Sequence, residues 1–89
     1  MKHNSVIKAL QKQNIKIEND KDKYWATNEI NEISWFNQSD EAICLYVKPR
    51  KYEDDITTDY YCGTFHDTIK IAIRDFLNQD WLTGKARSV

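Results

Sequence analysis

Along the chain, apolar residues change their spacing several times, and each change marks an element. Val6, Ile7 and Leu10 recur near helical period behind Asn4 and Ser5, both good N-cap types, while Asn14 suits a left-handed C-cap. A short first helix is predicted there. Ile15 and Ile17 then alternate with Lys16 and Glu18, the period of a strand, and a polar turn at residues 19–22 follows. Residues 23–27 (KYWAT) are rich in β-formers and return as a second strand. Residues 32–37 and 41–48 are two further β-rich runs, joined by Gln38, Ser39 and Asp40 as a hairpin loop. Pro49 has no N–H to donate and should end that strand. A charged loop over 49–56 precedes a last strand over 57–64.

The second helix is expected to open on Thr64, with Asp67 completing a variant capping box. Phe65, Ile69, Ala72, Ile73 and Phe76 form its apolar stripe, and Lys70, Arg74 and Gln79 its polar side. It should run to about Asp80, with Trp81 and Leu82 beyond it, Gly84 as a stop and residues 83–89 frayed. The expectation is a small α+β domain over 1–89. It has an antiparallel sheet of three to four strands, an N-terminal and a C-terminal helix on one face, and the order α-β-β-β-β-α.

Composition narrows the function classes. The 89 residues are 40% apolar and 30% charged, the balance of a globular chain. No run approaches the ~20 apolar residues of a membrane span, and the first 16 residues lack the apolar core of a secretory signal. With only Cys44 and Cys62, a reducing, bacterial cytoplasmic setting with free thiols is expected, a disulfide between neighbouring strands being the lesser alternative.

Net charge is −1, but it is unevenly spread. Residues 1–24 carry six lysines against three acids, while residues 25–46 carry four acids and no base. Glu53, Asp54, Asp55 and Asp59 make an acidic stretch after the basic knot of Lys48, Arg50 and Lys51. A dedicated nucleic-acid binder normally shows a basic surplus. The element order is shared in outline with double-stranded RNA-binding domains, but the start of the second helix lacks the lysine cluster those domains use on phosphates.

No constellation for catalysis emerges. His66 is followed by Asp67, yet no serine lies in a nucleophile elbow and both cysteines fall mid-strand, so His66 is expected to cap the helix. The acidic stretch lacks the alternating ligands, glycine and closing glutamate of a calcium loop, and Cys44, Cys62 and His66 lack a close cysteine pair for zinc. Two glycines far apart make no phosphate loop. No cofactor or metal is expected.

What remains is the sheet. If Ile33, Trp35, Ile43, Leu45 and Val47 face the helices, alternation sends Ser34, Phe36, Cys44, Tyr46, Tyr60 and Cys62 to the other side. An uncovered aromatic face on a small protein marks a contact with another protein; the alternative is a twisted sheet partly covered by the 48–56 loop. The reading is a non-enzymatic protein-binding module. Phe36, Tyr46 and Tyr60, with Glu53, Asp54, Asp55 and Asp59, would engage another protein or a second copy of the chain. Ten lysines, seven asparagines and ten isoleucines suggest an AT-rich coding source, as in small phage-borne inhibitors of the anti-CRISPR or other anti-defence type, immunity proteins or antitoxins. The alternative class is a single-stranded nucleic-acid binder stacking bases on the same aromatics.

Overall fold

The computed structural model describes residues 1–49 and 63–78. The order is α1 (His3–Lys12), β1 (Ile17–Asp20), β2 (Lys23–Thr27), β3 (Asn31–Gln38), β4 (Glu41–Pro49), β5 (Thr64–Phe65) and α2 (Ile69–Phe76). The strands form one antiparallel sheet in sequence order, β1-β2-β3-β4-β5. The small α+β architecture is the expected one, with five strands in place of three to four. Val6 and Leu10 of α1 and Ala72 and Phe76 of α2 share one core with Ala26, Ile33, Trp35, Ala42, Leu45 and Val47, so both helices cover the same side of the sheet. Among the described residues no helix is long and apolar enough to cross a membrane.

Local chemistry explains the turns. Asn14 sits at φ 59°, and the Ile15 and Asn14 N–H groups donate to the Leu10 and Gln11 carbonyls. That pair of bonds is a Schellman motif, so Asn14 ends α1 as its residue type suggests. The β3–β4 turn places Ser39 at φ 51° and Asp40 at φ 67°, the geometry of a primed two-residue hairpin built without glycine.

α1 begins earlier than its cap-type residues imply. Its N-cap is Lys2, with no side-chain cap, instead of Asn4 or Ser5. The backbone substitutes: Lys2 bridges Glu41 in antiparallel fashion, and the His3 N–H donates to the Asp40 carbonyl at 2.9 Å. An N–H that a helix would orphan is thereby satisfied by the hairpin.

α2 departs further. It spans only Ile69–Phe76, its N-cap is Thr68 without a side-chain cap, and Thr64 and Phe65 belong to β5. The capping box of Thr64 and Asp67 therefore does not form, and Phe65 leaves the helix stripe. Pairing of Tyr46 with Phe65 and of Val47 with Thr64 extends the sheet at the place where a cap was expected. The end near Asp80 is replaced by a C-cap at Leu77, whose N–H donates to Ile73. Most of the expected 57–64 strand, the charged loop, Trp81, Leu82, Gly84 and the 83–89 tail lie outside the described residues.

Candidate functional site: the outer face of the sheet

Register determines which side chains share the uncovered face. Tyr24, Ala26, Ile33, Trp35 and Val47 point to the helices, so their neighbours Trp25, Ser34 and Tyr46 point away. Cross-strand pairing aligns Glu18, Trp25, Ser34, Tyr46 and Phe65 in one row across all five strands. A second row holds Lys23, Phe36 and Ile43, and a third Thr27, Glu32 and Lys48.

The assignment of Ile43 to the core is overturned. Ser34 pairs with Tyr46 but Phe36 pairs with Ile43, so Cys44 and Leu45 together stand opposite Trp35. This is a β-bulge, and Cys44 is its extra residue at φ 56°. One additional residue inverts alternation on its N-terminal side. Ala42 takes the buried place, and Ile43 joins Phe36 outside, 38% and 40% exposed. Cys44 itself is exposed and its thiol is free; Cys62 lies outside the described residues.

Phe36 and Tyr46 thus lie on one face. Tyr60, Glu53, Asp54, Asp55 and Asp59 fall outside the described residues. Sequence reasoning missed three members. Trp25 was readable from alternation with Tyr24 and Ala26. Ile43 was hidden by the bulge, and Phe65 by its fit to the helical stripe. Phe65 is 66% exposed and packs on the Tyr46 ring at a centroid distance of 4.6 Å.

Tyr46 is half-buried, and its hydroxyl has a structural duty. It accepts the Gly63 N–H at 2.8 Å. A Cβ at Gly63 would stand 2.7 Å from Tyr46 Cζ and 2.8 Å from Lys48 Cβ, and would also run into the Val47 carbonyl. Glycine is required there by this close approach.

His66 is not a helix cap. It lies between β5 and α2, its N–H donates to the Leu45 carbonyl, and its Nε2 donates to Asp75 Oδ2 at 2.8 Å. Its partner is thus Asp75 on α2 instead of the adjacent Asp67, and the bond ties α2 to the sheet. His3, the first residue of α1, is buried, and its Nδ1 accepts the Trp35 Nε1–H at 2.9 Å beside Tyr24. Among the described residues no group of three or more histidine, cysteine or acidic side chains could hold a metal ion.

At the outer face, charge is sparse and mixed. Lys48 lies 3.9 Å from Glu32, Lys23 flanks Phe36, and Glu18 borders Trp25. Glu41 is drawn to the N-terminal end, 2.9 Å from Lys2 and 3.0 Å from the terminal amine. The Lys2 hydrogen bond and the terminal amine hold its carboxyl below the usual carboxylate range. Comparison with known proteins adds no relative: no family model, no curated protein and no solved structure matches the chain.

Proposed function

We propose that this chain is a non-enzymatic protein-binding module whose outer sheet face, centred on Trp25, Phe36, Ile43, Tyr46 and Phe65, docks against another protein. The observation that carries it is the grouping of Phe36, Ile43 and Phe65, each 38% exposed or more, around a half-buried Trp25 and Tyr46. Aromatic and aliphatic side chains gathered on one face are enriched where proteins meet. Little charge must be desolvated to cover this face, since Glu32 and Lys48 offset one another.

The narrower reading, a small inhibitor of a bacterial protein carried by a phage or mobile element, rests on composition alone. The nucleic-acid alternative draws less support. Stacking aromatics lie on one side of the sheet with Lys23 and Lys48, the latter 3.9 Å from Glu32, while Lys8, Lys12, Lys70 and Arg74 are carried by the helices on the other. Base stacking and phosphate contact would need them on one surface.

The test pairs capture with substitution. Tagged protein should retain a stoichiometric partner from bacterial lysate, and the double variant F36S/F65S should lose it while keeping its unfolding temperature within a few degrees. Both side chains are exposed, and surface changes typically alter stability by about 0.5 kcal/mol or less. A monomer without a partner, or a partner indifferent to both substitutions, would refute the reading.

A further inference from the structure

On the opposite side of the molecule, α1 and α2 leave a groove between them. Ser5, Ala9, Lys12 and Gln13 line one wall, and Ile69, Lys70 and Ile73 the other; its volume is about 440 Å³. The gap has a plain origin in the sequence. Ser5 and Ala9 stand one turn apart on α1, and both are too small to fill the space facing Ile69 and Ile73.

Its charge is one-sided. α1 carries Lys8 and Lys12 and no acidic residue, while α2 carries Lys70 and Arg74. The single carboxylate on either helix, Asp75, faces His66. Lys12 and Lys70 stand on opposite walls above an apolar floor.

We propose that this groove binds an acidic amphipathic helix of another protein. Apolar residues of that helix would enter between Ala9, Ile69 and Ile73, and its carboxylates would meet Lys12 and Lys70 on either rim. The apolar floor distinguishes such a ligand from a phosphate backbone, which would contact the lysines and leave Ile69 and Ile73 in water. This surface is separate from the outer sheet face, so either can fail without the other.

The test uses two synthetic helical peptides of about 16 residues, long enough for marginal helicity. Both carry leucine at i, i+3 and i+7; one has glutamate and the other lysine at the polar positions. Binding is followed through the backbone amide signals of Ser5, Ala9, Lys12, Ile69 and Ile73. The acidic peptide should bind one to one, at least about tenfold tighter than the basic one, and weaken as salt is raised. The K12E/K70E variant, with both changes at exposed positions and its amide spectrum otherwise retained, should reverse that preference.

Equal binding of both peptides, binding of neither, or shifts confined to Trp25 and Phe65 would overturn the proposal. So would displacement of the acidic peptide by a single-stranded oligonucleotide at lower concentration. A concentration-dependent shift of the groove signals without peptide would assign the groove to a second copy of the chain, and would also overturn it.

Discussion

Single polar side chains hold this fold in ways that spacing does not reveal. Asn31 is fully buried, and its Nδ2 donates to the Phe76 and Asn78 carbonyls at 2.9 Å each. Asn28 Nδ2 adds a 3.1 Å bond to Phe76, while its Oδ1 accepts the N–H groups of Ile30 and Asn31. Asn28, before β3, and Asn31, its first residue, therefore cap the C-terminal end of α2, where helix carbonyls lack partners. Asn31→Leu should lower the unfolding free energy by about 2–3 kcal/mol, because buried carbonyls lose their donor, as denaturant unfolding would measure. Gly63→Ala should cost about 1–3 kcal/mol through the steric conflict with Tyr46 and the Val47 backbone. The pH prediction concerns Glu41. A lowered carboxyl pKa contributes stability above its unfolded value, and this is lost as pH falls through the folded one. Lys2, raised by the same hydrogen bond, contributes below its unfolded value and loses it as pH rises through the folded one. Glu41→Gln should therefore lower the unfolding temperature at neutral pH, and the gap from wild type should close on acidification.

At the scale of elements, what was legible depended on whether local pattern and tertiary pairing agreed. The KYWAT strand, the β3–β4 hairpin and the asparagine-ended first helix are written in residue types that act locally, and all three form, although Gln38, expected in the hairpin loop, pairs with Glu41 and leaves a two-residue turn. The start of α2 was not legible, since Thr64 and Phe65 suit a helix cap yet gain more from pairing with β4. The bulge was hidden for a different reason. No glycine marks it, and Cys44 takes the left-handed conformation that glycine usually supplies. Its consequence reaches the candidate site, because it turns Ile43 outward beside Phe36. Cys44→Gly should thus stabilise the protein by roughly 1 kcal/mol, contrary to the usual effect of glycine in a strand, by removing the left-handed penalty. Cys44→Val should destabilise it instead. Thermal unfolding of the two variants beside wild type decides the matter.

For the molecule as a whole, the sheet divides two surfaces of different character. On the helical side, Lys12 and Lys70 line the groove between α1 and α2, whose helices also carry Lys8 and Arg74. On the other side, apolar and aromatic residues from every strand except β1 form a face with little net charge. The two phenylalanines and Ile43 each leave 38% or more of their surface in water, and that part contributes nothing to folding, since apolar surface stabilises only when removed from water. Their use is expected to lie in association. The most direct measurement places a photoreactive phenylalanine analogue at Phe65 in bacterial cells, with a matched probe at Asn19 on the exposed edge strand β1. One discrete adduct with another protein from position 65, absent from position 19, is the predicted result. No adduct from position 65, or the same adducts from both positions, would contradict a docking role for the outer face.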